Sequence, residues 1–288
     1  MNKIYILPVN PVFQPKRACI TYPCHDNGYT IEEDFLAYLD QHPELLTDNF
    51  EDGDWYYLPI FWTNWLVNHK FGEVDLCKLQ DEVNRCIIDD SKTFTICRYS
   101  DGPKVQIGKM IQFLCSRKTR VGIDIPHVCA PHKLPSILPE KKYLASFAGN
   151  IGTHKIRIRM AENFKNSQDI LFVSRSGDEH YFVQTILESY VALSPRGYGG
   201  SSFRFYEAMQ LGIVPFLIGD IDHRPFKKFI DWNKISFYAS DEVGLEEILR
   251  KIDKQQAIEM GITAQKVWKE ELNYQKWCKY VLKELKIC

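Results

Sequence analysis

One stretch decides the fold of this chain: PRGYGGSSFRFYEA, at residues 195–208. A short apolar run at 190–193 precedes it, and a second apolar run at 213–218 follows it. The glycines therefore lie where a strand turns into a helix, and two serines open a helix that carries Arg204 and Glu207 one turn apart. This order predicts a β-loop-α-β unit.

The same stretch has the chemistry of an anion site. Glycines at a strand-to-helix turn let backbone N–H groups approach an anion at the helix N-terminus, where the helix dipole also favours negative charge. Arg204 adds a bidentate phosphate partner, and Glu207 can accept hydrogen bonds from two hydroxyls, as a ribose offers. The combination predicts a nucleotide diphosphate site. A surface Arg–Glu pair beside ordinary turn glycines is the alternative, and the chain has neither a dinucleotide fingerprint nor a P-loop.

Composition excludes several classes of protein. The chain has 288 residues, of which 45% are hydrophobic and 25% charged, enough for two domains. Its net charge of −1 argues against nucleic acid as a partner. Nine cysteines without a C-x-x-C pair favour reduced thiols, and His127, Cys129 and His132 lack a zinc spacing, so no metal is expected. No secretory or transmembrane segment is visible, which predicts a soluble, cytoplasmic protein without a membrane anchor.

The pattern of apolar runs changes along the chain. The predicted strands of the first half are 4–9, 55–61, 93–98, 112–115 and 125–128, and its predicted helices are 32–39 and 76–87. In the second half strands and helices alternate from 143 to 252, which predicts a parallel, doubly wound sheet. Ligands of such sheets lie beyond the carboxyl ends of the strands, where Arg175, Arg196 and the glycine turn fall. Prolines between 126 and 139 indicate a linker, and a long helix is predicted at 264–285.

Five segments of the second half resemble the exostosin family of glycosyltransferases. They are SFAGN at 146–150, SPRGYG at 194–199, SFRFYEA at 202–208, GIVPFLI at 212–218, and RPF at 224–226 leading into 230–232. The resemblance covers about residues 143–252 and is weak in the first half. It implies an α/β fold of the GT-B type, with two Rossmann-like domains facing a central cleft. The implied domains are an acceptor-side domain at 1–138, a nucleotide-sugar domain at 139–262, and a helix at 263–288 packing across both.

The family's activity supplies the functional expectation. The resemblance implies an inverting glycosyltransferase that moves a sugar such as xylose, glucuronic acid or galactose from a UDP-sugar to a hydroxyl of a glycan acceptor. It implies neither a metal nor a cofactor besides the UDP-sugar donor. Because the chain begins directly at a strand, a stand-alone, soluble, microbial or virus-encoded relative is expected. A non-catalytic protein that binds nucleotide sugars or glycans on the same fold is the alternative.

An inverting transfer assigns roles to these residues. The leaving diphosphate must be stabilised, and the predicted nucleotide ligands are Arg175, Arg196, Tyr198, Gly199, Gly200, Ser201, Ser202, Arg204 and Glu207. A general base must also deprotonate the acceptor hydroxyl. Asp101, which follows the predicted strand at 93–98, is the candidate base, although Asp-Gly is also a common turn. His25, Asp26 and Asp54 are the alternatives.

Overall fold

Two α/β units make up the chain. The structure, a computed structural model, describes residues 2–16, 31–129, 131–174 and 178–287. One unit comprises Met1–Val128 with Tyr274–Cys288, and the other comprises Cys129–Asn273. Each unit contains a five-stranded parallel sheet. The predicted α/β fold class with two parallel-sheet, Rossmann-like domains is therefore confirmed.

The sheet of unit 1 follows the order of the sequence. Its strands are β1 (Ile4–Ile6), β2 (Trp55–Tyr57), β3 (Thr93–Cys97), β4 (Ile111–Leu114) and β5 (Ile123–Asp124), in the order β1-β2-β3-β4-β5. Its first three helices are α1 (Ile31–Asp40), α2 (Trp62–Asn68) and α3 (Leu76–Cys86). Every residue of β3 is buried, as expected for a strand covered on both faces. The predicted strand at 125–128 is wrong, because β5 ends at Asp124 and Pro126 cannot donate to a strand neighbour.

The sheet of unit 2 is doubly wound. Its strands are β6 (Tyr143–Ala148), β7 (Ile170–Val173), β8 (Ser189–Pro195), β9 (Val214–Ile218) and β10 (Phe237–Ala239). Its helices are α4 (Lys155–Phe164), α5 (Glu179–Leu187), α6 (Phe203–Gln210), α7 (Glu242–Leu249) and α8 (Lys254–Val267). The strand order is β10-β9-β8-β6-β7. The chain therefore leaves β6 for one side of the sheet and then crosses to β8 on the other, so a crevice is expected beyond the carboxyl ends of β6 and β8.

The C-terminal residues depart from the predicted single helix at 264–285. Helix α8 ends at Val267 and continues as a π-helical turn, Trp268–Leu272. Asn273 is then extended, with ψ 133°, and Tyr274 has a φ of +44°, so the helix cannot continue. A 3₁₀ turn, Tyr274–Trp277, and the helix α9 (Cys278–Glu284) follow within unit 1.

The contacts of this last segment explain where it lies. The indole N–H of Trp277 donates to Asp34 Oδ2 at 2.9 Å, which fixes the segment to α1 of unit 1. Burial raises the pKa of Asp34 to about 6, although the hydrogen bond from Trp277 lowers it. Within the described ranges, no helix is both long enough and apolar enough to cross a membrane.

Candidate functional site

Two helices of unit 2 begin at the carboxyl edge of its sheet, on either side of the point where the strand order reverses. The loop after β6 leads through Gly149 and Asn150 into α4, and the loop after β8 leads through residues 196–202 into α6. The predicted glycine turn and both helix N-termini therefore meet beyond β6 and β8. Helix N-termini at this edge favour anions.

Arg204 lies in the first turn of α6, and its guanidinium is held against the end of β6. Its Nη2 donates to the carbonyl of Ala148. Its Cζ lies 4.5 Å from the centre of the Phe147 ring and 5.6 Å from that of Phe182, which places the cation over aromatic faces. A side chain on Gly149 would overlap the Arg204 guanidinium, so this glycine allows the close approach.

Arg196 brings a second cation to the edge. Its backbone N–H donates to Ile218 O at 2.8 Å, and its side chain forms an ion pair with Asp220. The Nε atom of Arg196 is buried and has no hydrogen-bond partner among the residues that the structure describes. An unpaired buried donor is costly, so this atom is suited to receive an acceptor such as a phosphate oxygen.

Arg157 is a third cation, and the sequence analysis missed it. The side chain is buried and donates to three carbonyls: Nε to Arg196 O at 2.9 Å, Nη2 to Pro195 O at 2.8 Å, and Nη1 to Asn150 O at 2.9 Å. Arg157 thereby joins the loop after β6 to the loop after β8. The available signal was its position beside Ile156, on the buried stripe of α4.

His154 supplies an uncharged donor at the same edge. Its Nδ1 accepts a hydrogen bond from Ile156 N at 3.3 Å and caps α4. The ring proton therefore lies on Nε2. Burial, followed by the charge of Arg196, lowers the pKa of His154, so the ring stays neutral near pH 7.

Glu207 is buried, with an exposed fraction of 3%, and is paired with a histidine. His132 Nε2 lies 3.2 Å from Glu207 Oε1, and His132 Nδ1 lies 2.8 Å from Glu179 Oε1. Burial alone would lower the pKa of His132, but the hydrogen bonds and charges of the two carboxylates outweigh burial and raise it. His132 had been considered only as a possible metal ligand, and the described residues contain no group of three ligands for a metal ion.

The remaining predicted ligands in unit 2 occupy the loop itself. Gly199, Gly200, Ser201 and Ser202 are buried, and Ser202 stands at the N-cap position of α6. Tyr198 is 71% exposed, and its predicted contact with the nucleotide stays a prediction. Arg175 lies outside the described residues.

In unit 1 the predicted base also lies at the carboxyl edge of a sheet. Asp101 follows β3, is exposed, and forms an ion pair with Lys118, which follows β4. Asp54 instead precedes β2 and accepts a hydrogen bond from Lys3 N at 2.8 Å, so it lies at the opposite, amino edge. His25 and Asp26 fall outside the described residues.

A buried carboxyl group supports the chain near Asp101, and the sequence analysis missed it as well. Glu32 Oε1 accepts hydrogen bonds from Arg98 N at 3.1 Å and from the hydroxyl of Thr63 at 2.8 Å. Burial raises the pKa of Glu32. The residue therefore fixes the start of the segment that carries Asp101, while the exposed Asp101 keeps access to solvent.

This architecture defines a class of proteins with two Rossmann-like domains. In this chain the carboxyl edge of the unit 2 sheet is rich in arginine, which suits it to a nucleotide. Residues 113–252 match the family model of the Exostosin GT47 domain. Over 153 residues the chain is 28% identical to Exostosin-1 of Drosophila melanogaster, covering 44% of this chain and 20% of that protein. Over 154 residues it is 27% identical to the Exostosin-1 homolog of Caenorhabditis elegans, covering 45% of this chain and 40% of that protein. Residues 113–252 therefore resemble the exostosin family, and the chain spans less than half the length of either relative.

Solved structures resemble the chain only distantly. The crystal structure of TarM is 10% identical, with a TM-score of 0.40, and the match covers 71% of this chain and 56% of that one. The crystal structure of MurG from Acinetobacter baumannii is 8% identical, with a TM-score of 0.37, and the match covers 90% and 78% of the two chains. The resemblance to the exostosin family therefore depends on the sequence match.

Proposed function

We propose that this protein is a glycosyltransferase that uses a UDP-sugar and inverts the anomeric centre on transfer to a glycan hydroxyl. The observation that carries the proposal is the group of three arginines, Arg157, Arg196 and Arg204, at the carboxyl edge between β6 and β8. This edge lies within the Exostosin GT47 match, and parallel α/β sheets bind their ligands there.

Under this proposal the diphosphate binds against the N-terminus of α6. Arg204 and Arg196 supply the positive charge that stabilises the leaving UDP as its bond to the sugar breaks. Two guanidinium groups and a helix N-terminus offset the charge of the diphosphate, so no divalent cation is required. Arg157 donates to backbone carbonyls and holds the two loops rather than the ligand.

Glu207 accepts hydrogen bonds from the ribose hydroxyls, and Tyr198 lies beside the base. In unit 1, Asp101 takes the proton of the acceptor hydroxyl while that oxygen attacks the anomeric carbon and the UDP leaves on the opposite side. Xylose, glucuronic acid and galactose are the first donor sugars to test.

A donor screen tests the proposal. The protein is incubated in EDTA with each UDP-sugar and with oligosaccharide acceptors, and thermal stability and released UDP are measured. A donor at 100 times its dissociation constant stabilises a protein by about 2.7 kcal/mol, so the correct UDP-sugar should raise the melting temperature and release UDP. Nuclear magnetic resonance of the product then reports the anomeric configuration.

Three outcomes of this screen would each contradict a different part of the proposal. Retention of configuration would overturn inversion. Stabilisation that needs Mn²⁺ or Mg²⁺ would overturn the metal-free mechanism. Absence of any shift with UDP or UDP-sugars would overturn the assignment of a UDP site.

A further inference from the structure

His132 connects two helices of unit 2 through its ring. Its Nδ1 is 2.8 Å from Glu179 Oε1 at the start of α5, and its Nε2 is 3.2 Å from Glu207 Oε1 in α6. Its backbone N–H donates to Gln210 Oε1 at 2.5 Å. The side chain is almost fully buried, with an exposed fraction of 8%. Position and orientation of the ring are therefore fixed from three directions.

Only the protonated ring satisfies both carboxylates. An imidazolium donates from both nitrogens, whereas a neutral imidazole donates from one and presents a lone pair at the other. The neutral ring therefore donates to only one of the two carboxylates, and it carries no positive charge beside the buried Glu207. The buried Glu207 carboxylate then loses the compensating charge of the ring, which is unfavourable.

The charged groups around His132 act in both directions. Glu179 on α5 and Glu207 on α6 favour its protonation. The Phe182 ring lies 5.8 Å from the His132 ring, and the Arg204 guanidinium lies 5.6 Å from the same phenyl ring, so the Arg204 charge opposes protonation. The Cys129 thiol also lies near Glu207, and burial followed by the Glu207 charge raises the pKa of that thiol, so it stays uncharged. Burial lowers the pKa of His132, but the hydrogen bonds and charges of Glu207 and Glu179 outweigh burial, and the pKa is raised.

We propose that His132 is a positioning residue that holds the Glu207 carboxylate in the orientation that receives the nucleotide ribose, and that it does so in its protonated form. The inference rests on the proposed function, since it requires a nucleotide at Glu207. Under this proposal His132, in the segment after Val128, contributes to donor binding by holding Glu207. The glycine turn and the arginines do not have this role. Its consequence is that UDP binds more tightly below the pKa of His132 than above it.

Calorimetry with UDP from about pH 5.5 to about pH 9 tests this proposal, because histidine titrates within that range. The proteins compared are the wild type, His132→Gln, Glu179→Gln and the control His180→Gln. His180 lies beside Glu179 on α5 and is exposed. The terminal phosphate of UDP also titrates, near pH 6. We therefore compare, at each pH, the UDP dissociation constant of each variant with that of the wild type. Ionisation of UDP affects both constants equally, so it cancels from their ratio.

The wild type should bind UDP about tenfold more tightly than His132→Gln at low pH. Because one proton is lost, the ratio of the two affinities should change by at most about tenfold per pH unit. The two proteins should converge at high pH. Glu179→Gln removes one carboxylate, so its affinity should fall at a lower pH than that of the wild type. His180→Gln should follow the wild type throughout. The Glu179 variant keeps the test decisive even where His132→Gln fails to fold.

The possible failures are distinguishable. A ratio of wild type to His132→Gln that stays constant with pH, or a Glu179→Gln profile identical to that of the wild type, would overturn the role of His132 while UDP binding stands. Absence of UDP binding by the wild type at every pH would overturn the proposed function, and this inference with it.

Discussion

Replacing Gly149 by alanine tests whether the position of Arg204 matters for UDP. The new Cβ would lie 3.3 Å from Arg204 Cζ, closer still to Nη2, and 3.5 Å from the Phe147 ring. The guanidinium would have to move away from Ala148 O and from the face of Phe147. A charged hydrogen bond contributes about 1.5–3 kcal/mol. Loss of one between Arg204 and a phosphate should therefore weaken UDP binding roughly 10- to 150-fold.

The same change also strains the backbone, because Gly149 has a φ of +155°. Such a conformation costs a residue with a Cβ about 1–3 kcal/mol, so thermal unfolding should show a lower melting temperature. Calorimetry with UDP, well below that temperature, then reports binding by the folded protein. The matched control is Gly244→Ala in α7, where the new Cβ meets no atom closer than 3.5 Å, so UDP affinity should not change. A folded Gly149→Ala protein with wild-type UDP affinity would refute the role of Arg204.

Three further substitutions test the remaining parts of the mechanism. Glu207→Ala should weaken UDP binding roughly 10- to 150-fold in calorimetry by removing hydrogen bonds to the ribose, and an unchanged affinity would leave Glu207 only a structural role. Asp101→Asn should slow sugar transfer about 10²- to 10⁴-fold while UDP affinity stays near that of the wild type, and near-normal turnover would exclude Asp101 as the base. The raised pKa of His132 stabilises the folded protein below the ordinary histidine pKa, and this contribution is lost as pH rises through the raised value. The free energy of urea unfolding should be higher for the wild type than for His132→Gln, and this difference should be larger at about pH 6 than at about pH 9. An equal difference at both pH values would contradict the ion pairs of His132.

The β-loop-α-β unit was predictable because its signals are local. The glycine turn stands between two apolar runs, and the structure places β8, α6 and β9 around it in that order. Burial of these strands on both faces requires continuous apolar runs, which a single sequence displays. The positions of Arg204 and Glu207 one turn apart follow from the helix that the turn begins.

The partners of these residues were not predictable in the same way. His132 is separated from Glu179 and Glu207 by 47 and 75 residues, and Glu32 from Arg98 by 66. Pairs so far apart in sequence meet only after the sheet has assembled, and no periodicity reports them. The ribose candidate Glu207 was identified from its helix, whereas the histidine that holds it was not.

The break in the C-terminal helix has a related cause. The apolar stripe from 264 to 285 continues through Asn273 without a glycine or proline to stop it. Tertiary contacts end the helix instead, because Trp268 and Leu272 are buried in unit 2 whereas Trp277 is buried against Asp34 in unit 1. Packing of this kind overrides local propensity.

A crystal structure of the protein with UDP, grown in EDTA, tests the central claim most directly. The account predicts the diphosphate at the N-terminus of α6, within hydrogen-bonding distance of Arg204 or Arg196, and the ribose hydroxyls at Glu207. Density for UDP at the carboxyl edge of the unit 1 sheet, or elsewhere away from β6 and β8, would contradict it.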